Sequence, residues 1–182
     1  LMSNNFEYSK ELLHYSSNNN IKFIYASSAA VYGLNKKISK ENINENPINL
    51  YAFSKLIFDK YVNLHINKIS NCVVGLRYFN VYGNNEFHKH NMSSVILKFD
   101  NQIKNDGKIK LFKGNDGYRD GEQKRDFIHV NDCVNVNLWF MNKRIKGIYN
   151  VGTSKSSSFN KVANIVIKYH NRGKINYINF PS

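Results

Sequence analysis

The chain has 182 residues, 42% hydrophobic and 14% aromatic, enough to bury one sizeable core or a core and a half, and too polar for a membrane span. Its formal charge of +13 would ordinarily point to nucleic acid. The basic residues are lysine far more than arginine, however, and lie scattered among Asn and Ile rather than gathered on one helix face with interleaved aromatics, so no nucleic-acid partner is expected, although nucleotide phosphates would still be attracted.

Apolar Phe6, Leu12, Leu13 and Tyr15 predict an amino-terminal amphipathic helix that ends in the polar run Ser16 to Asn20. Leu1 to Leu13 lacks the basic flank, apolar centre and cleavage site of a secretory signal, which makes a cytoplasmic protein the expectation. Ile21 to Tyr25 is a short buried strand, and after Gly33 a polar loop closed by Pro47 leads to a long helix, Leu50 to Ile66. Phe53, Leu56, Ile57, Tyr61 and Leu64 on that helix follow the helical period. Cys72 to Phe79 is nearly continuous in apolar residues, as parallel strands covered on both faces are.

Asn91 to Ile103 reads as a helix, Ile109 to Phe112 as a short strand and Gly114 to Gln123 as a polar loop. Arg125 to Val130 is then a strand leading through Asn131 and Asp132 into the helix Cys133 to Met141, with Asp132 as its N-terminal acidic residue and Trp139 on its core face. Gly147 to Val151 is a third core strand, Phe159 to His170 a last helix and Ile175 to Phe180 a final strand. Cys72 and Cys133 have no Cys or His partner at metal-ligand spacing, so they read as buried thiols, with neither disulfide nor metal. The alternation gives an α/β fold, a doubly wound parallel sheet with a smaller second lobe. The larger part comprises 1–83 and 126–153, and the lobe 84–125 and 154–182.

The chemistry centres on Tyr51, Lys55 and Ser28. A free tyrosine, with a pKa of about 10, is a poor base at neutral pH unless its phenolate is stabilised. A lysine four residues on lies one helical turn away on the same face and supplies the opposite charge. Ser28 follows the Ile21 to Tyr25 strand, where open α/β sheets bind their ligands, and can hold the substrate oxygen for Tyr51. The spacing alone decides little: Tyr32 and Lys36 repeat it in a loop, in a chain with 12 tyrosines. What distinguishes Tyr51 and Lys55 is a strong helix placed after a Ser-Ser-Ala-Ala strand end. Lys89, in the loop beyond Asn80-Val81-Tyr82-Gly83, would serve as a second acid/base group if it faced Tyr51 across a substrate, and is otherwise one more surface lysine. Arg125 suits a diphosphate or a surface ion pair equally.

Together these segments resemble the extended short-chain dehydrogenase/reductase superfamily and, within it, the ADP-L-glycero-D-manno-heptose 6-epimerase family. The resemblance rests on Tyr25-Ala26-Ser27-Ser28-Ala29-Ala30-Val31-Tyr32-Gly33, Tyr51-Ala52-Phe53-Ser54-Lys55, Arg77 through Gly83, His88-Lys89, Asp120 through Phe127 and Val136-Asn137-Leu138-Trp139-Phe140. It implies Tyr51 and Lys89 as the acid/base pair, Ser28 as the assisting hydroxyl, and NADP contacts at Asn4, Lys55, Val81 and Lys89. Substrate contacts are implied at Asn80, Asn91, Lys98, Phe112, Lys113, Gly114, Asn115 and Arg125. Asn91 stands where the family often has serine and Lys98 where histidine is common. The implied reaction inverts C6 of an ADP-bound heptose by oxidation and re-reduction, for the inner core of lipopolysaccharide, in a homo-oligomer. A nucleotide-sugar 4-epimerase or a non-catalytic remnant are the alternatives. The family's amino-terminal strands and Gly-x-Gly-x-x-Gly turn would precede Leu1, so the isolated chain is expected to hold NADP poorly.

Overall fold

A computed structural model of the chain describes residues 1–34, 40–115 and 117–180. Lys36, partner of Tyr32 in the repeated spacing, and the terminal Pro181-Ser182 lie outside the described residues. The chain divides into two compact units, one of Leu1–Phe79 with Asp132–Val151 and one of Asn80–Asn131 with Gly152–Ser182.

In the first unit a parallel sheet runs β1 (Phe23–Ser28), β2 (Val73–Tyr78), β6 (Gly147–Val151), in that spatial order. Its registers pair Phe23 with Val73 and Val74 with Gly147. Such neighbours need helical crossovers, and α2 (Leu50–His65) supplies the one between β1 and β2. Val73, Val74 and Leu76 are fully buried, the continuous apolar run expected of a strand covered on both faces. The amino-terminal helix begins with a π-helical turn, Ser3–Glu7, and continues as α1 (Tyr8–Asn18). Leu13 packs with Phe58, Val62, Ile69 and Val73 in this unit's main core.

Several expected core positions face outward instead. Leu12 and Tyr15 on α1, and Phe53 and Leu64 on α2, are exposed. The buried face of α2 is carried by Ala52, Leu56, Phe58, Asp59 and Val62, a stripe that the bulkier side chains had obscured. Trp139 also departs from its expected core position. It lies half-exposed on α4 (Val130–Met141), with Val134, Leu138 and Met141 exposed beside it, while Cys133 and Phe140 take the buried positions. Cys72 is only partly buried.

Local chemistry fixes where α2 starts. Asn49 is extended (φ −147°, ψ 165°) and its side chain accepts the Ala52 N–H at 2.8 Å, a standard N-cap. Gly33 closes the preceding short 3-10 helix at φ +62°, with its Cα so near the Asn46 carbonyl that a Cβ would stand 2.0 Å from that oxygen. Two lysines bind helix carboxyl ends. Lys22 Nζ donates to the carbonyls of Phe140, Met141 and Lys143, and Lys146 Nζ to those of Ile66 and Ile69.

The second unit holds β3 (Asn80–Tyr82), β5 (Lys124–His129) and β7 (Ser156–Ser158), with β3 parallel and β7 antiparallel to β5. A separate parallel pair joins β4 (Lys108–Phe112) to β8 (Lys174–Ile178). Its core packs α3 (Val95–Asp106) and α5 (Phe159–His170) on β4 through Phe99, Ile103, Ile109, Leu111, Val162, Ala163 and Val166. Ser94 and Ser158 cap the two helices at their amino ends. The helix expected over Asn91 to Ile103 is two pieces, a 3-10 segment Phe87–Met92 and then α3, separated at Ser93 and Ser94.

Candidate active site

Ser28 is the last residue of β1, whose strand runs three residues further than the apolar pattern showed. Its backbone is still extended and its Oγ accepts the Ala30 N–H at 3.2 Å, so one hydroxyl ends the strand and caps the 3-10 turn. Tyr51 sits in the first turn of α2 and is 41% exposed, leaving its phenol accessible. One turn on, Lys55 points back to β1 and donates from Nζ to the Ala26 carbonyl at 3.0 Å, with the same nitrogen 6.0 Å from the Tyr51 ring centroid. Burial draws the Lys55 ammonium below the usual lysine range, and the carboxylate of Asp59 opposes that draw.

Tyr51, Lys55 and Ser28 thus belong to one unit, with Lys55 beside Tyr51 and tied to β1 two residues before Ser28. Asn4 also belongs to this unit and is exposed in the π-helical turn.

The remaining candidates belong to the second unit. Asn80 and Val81 open β3, where the Asn80 amide donates to the Asp126 carbonyl at 3.0 Å. Lys89 is exposed in the 3-10 segment that follows, and the buried carboxylate of Glu86 secures that segment by accepting N–H bonds from Gly83 at 3.0 Å and Ser94 at 2.7 Å. Burial works against ionisation of Glu86, but the Ser94 and Gly83 donors and the Lys89 charge outweigh it, holding the carboxyl below the usual range. His90, between Lys89 and Asn91, has φ +44° and ψ −118°, a costly backbone for a non-glycine residue.

Phe112 and Arg125 come together where β4 and β5 line a cavity of about 300 Å³, together with Lys110, Gln123, Phe159 and Phe180. Phe112 and Phe180 stack there, with centroids 4.4 Å apart and ring planes 16° from parallel. Lys113, Gly114 and Asn115 follow Phe112 but do not line this cavity. The Gly114 N–H donates to Asp120 at 2.7 Å, and Tyr118 N–H to the Asn115 carbonyl, so these residues shape a turn at its margin. Lys98 lies on the exposed side of α3 and Asn91 in the segment before it; neither lines the cavity.

The sequence reading missed Asp59, Arg77, Lys110, Gln123 and Phe180. Asp59 and Arg77 carried a signal of their own, one acid in an apolar helix face and one base in an apolar strand, a combination that buries only as a pair. Among the described residues no group of three His, Cys, Asp or Glu could hold a metal ion, and no helix is long and apolar enough to cross a membrane.

Comparison with known proteins adds the following. The NAD dependent epimerase/dehydratase family matches residues 1–152. The chain is 49% identical over all 182 residues to a protein of Alkalilimnicola ehrlichii named ADP-L-glycero-D-manno-heptose-6-epimerase, of which it covers 57%. Among solved structures, the Helicobacter pylori ADP-L-glycero-D-manno-heptose-6-epimerase superposes with a TM-score of 0.90 at 38% identity, over 98% of this chain and 55% of that one. A UDP-N-acetylglucosamine 4-epimerase of Methanobrevibacter ruminantium, solved with UDP-N-acetylmuramic acid, gives 0.84 at 30% identity over 98% and 57%. The chain therefore spans little more than half the length of these relatives.

Proposed function

The chain belongs to the NAD dependent epimerase/dehydratase family, and from that membership we propose that the protein carrying it inverts C6 of the heptose in ADP-D-glycero-D-manno-heptose, giving the L-glycero epimer. The observation that carries this reading is the Tyr51, Lys55 and Ser28 arrangement at the carboxyl end of β1, where Lys55 bonds to the strand and faces the Tyr51 ring. The heptose substrate follows from the 49% identity to the A. ehrlichii protein of that name along the whole chain.

The cofactor is NADP, held on this chain by Lys55, Asn4, Val81 and Lys89. One Lys55 N–H goes to Ala26 and the ammonium is only partly buried, which suits it to a ribose hydroxyl. None of the ten glycines forms a Gly-x-Gly-x-x-Gly turn, so these residues fit only part of a dinucleotide. When bound, the nicotinamide supplies reversible hydride transfer at the sugar carbon.

Tyr51 takes the proton of the C6 hydroxyl at its phenolic oxygen, with Lys55 providing the opposite charge beside it, and the Lys89 ammonium delivers a proton to that oxygen on re-reduction, both groups then resetting by exchange with solvent. Ser28 donates to the same substrate oxygen and so orients it. Lys89 acts on the other face of the sugar carbon, which makes the outcome inversion rather than simple oxidation. Phe112 with Phe180 packs the nucleoside end and Arg125 pairs with the diphosphate, contacts that fit the flat aromatic and cationic lining of the cavity. The setting is lipopolysaccharide inner-core synthesis in a bacterial cytoplasm, by a homo-oligomer.

The test is Tyr51→Phe in the gene product that carries these 182 residues, assayed on ADP-D-glycero-D-manno-heptose. Loss of a general acid/base group lowers kcat by about 10²- to 10⁴-fold. A Tyr51→Phe enzyme that keeps the parent rate would remove the phenol from the chemistry.

A further inference from the structure

The row of α2 that carries Tyr51 and Lys55 continues one turn further to Asp59, at i, i+4 and i+8. Asp59 is completely buried, and so is its partner Arg77 on β2, with Arg77 Nε 2.7 Å from Asp59 Oδ2. Two hydroxyls from β1 also donate to this carboxylate, Tyr25 to Oδ1 at 2.9 Å and Ser27 to Oδ2 at 2.8 Å. Three donors on two oxygens leave Asp59 no proton of its own to place, so it is held as the carboxylate against the upward push of its burial. Burial and the Asp59 charge keep Tyr25 well above the usual tyrosine range, in the donating, protonated form.

Two details show how closely this is built. Gly75, the register partner of Tyr25 on β2, leaves the space in which the Tyr25 ring lies, since a Cβ there would meet its Cζ and hydroxyl oxygen at 2.5 Å. Arg77 spends its other nitrogens on the Tyr32 hydroxyl at 3.1 Å and on Glu45 at 2.5 Å. With Asp59, Glu45 and Arg77 the cluster holds one more negative than positive charge, and the next cation along the α2 row is Lys55.

A buried ion pair is rarely a gain over well-packed apolar residues, so stability alone does not account for this one. Its geometry does. Tyr25, Ala26 and Ser27 are consecutive on β1, and each is bonded to α2: the outer two to Asp59, the middle one to Lys55. We propose that Asp59 is the positioning residue of the candidate active site, fixing α2 against β1 and standing as the buried negative charge one helical turn behind Lys55. This rests on the reading of Lys55 as a working residue of the site. Facing Lys55 are Tyr51 and Asp59 on its own helix and the Ala26 carbonyl on β1; Arg77 and Glu45 stand behind Asp59. Burial lowers Lys55 and Asp59 raises it, so removing the carboxylate leaves only the lowering.

The experiment follows the Lys55 side-chain carbon resonance through a pH titration of the 182-residue chain, without dinucleotide or sugar. Asp59→Asn moves the Lys55 midpoint down, and Asp59→Glu brings it back toward the parent. Because Asp59→Asn leaves the buried Arg77 guanidinium with Glu45 as its one carboxylate partner, the Asp59→Asn, Arg77→Met double variant, which removes one charge of each sign, is titrated in parallel, and it shows a smaller downward movement. A Lys55 midpoint unchanged in either folded variant overturns the proposal. That result would leave the epimerase reading standing, whereas a shifted Lys55 in a protein with no epimerase turnover would reject that reading and keep this one.

Discussion

Arg125 is exposed on β5 and spends one guanidinium nitrogen on the Lys124 carbonyl, 2.8 Å away, so the rest of its fork is available to a ligand in the neighbouring cavity. On the proposed reading its loss belongs to binding rather than chemistry. Arg125→Ala raises KM for the nucleotide sugar by about ten- to a hundredfold, the value of charge-assisted hydrogen bonds of roughly 1.5–3 kcal/mol, and leaves kcat near the parent value. Steady-state kinetics check this, and an unchanged KM would detach Arg125 from the substrate. At this scale the sequence was legible where chemistry imposes a spacing. Tyr51 and Lys55 stand four residues apart, and on a helix that spacing by itself puts the phenol and the ammonium on one face. Asp59 was hidden because its three partners come from two other segments, Tyr25 and Ser27 on β1 and Arg77 on β2, which only folding brings together. Phe180 was hidden likewise: its stacking on Phe112 joins the last described residue to a strand end 68 positions earlier.

Elements were read most securely where periodicity and caps agree. Gly147–Val151 and Phe159–His170 occur with the bounds their sequences indicated. Strand β1 ran on to Ser28 because the small residues Ala26, Ser27 and Ser28 carry no apolar signal, yet each can pair along a parallel neighbour. The exposed faces of α2 and α4 show the opposite failure, bulk mistaken for burial, since a large apolar side chain can cover a helix surface while small residues make the close packing. In the second unit, helices and loops are joined by depressed carboxylates. Asp100 on α3 bonds to His170 of α5 at 2.7 Å and to Lys104 at 2.6 Å, and these partners outweigh its burial and hold it below the usual range. Glu86 is held low in the same way. An acid whose folded pKa is depressed contributes stability above its unfolded value, near 4, and loses it as pH falls through the folded one. The melting temperature of the chain accordingly drops steeply below pH 4, and Asp100→Asn combined with Glu86→Gln makes that acid limb shallower. Equal steepness in parent and variant, followed by circular dichroism, would deny these carboxylates the role.

The first unit carries a parallel three-stranded sheet with the candidate Ser28 at the carboxyl end of β1, where open α/β folds bind their ligands. Strand β1 forms one border of that sheet among the described residues, which leaves the backbone groups of its outer side open to a further strand. The alternation of strands and helices made this architecture readable from sequence. The pairings within the second unit, β3 with β5 and β4 with β8, were not, because three- to six-residue strands set between loops leave almost no periodic trace. In the proposed mechanism two acid/base groups serve opposite faces of one sugar carbon, and Lys89 is the group that would separate inversion at C6 from other chemistry on the same fold. The most direct measurement is proton NMR of the C6 configuration during turnover of ADP-D-glycero-D-manno-heptose by the gene product and by its Lys89→Met variant. The account predicts accumulation of the L-glycero epimer by the parent and its loss in the variant. Inversion at full rate without the Lys89 amine would contradict it.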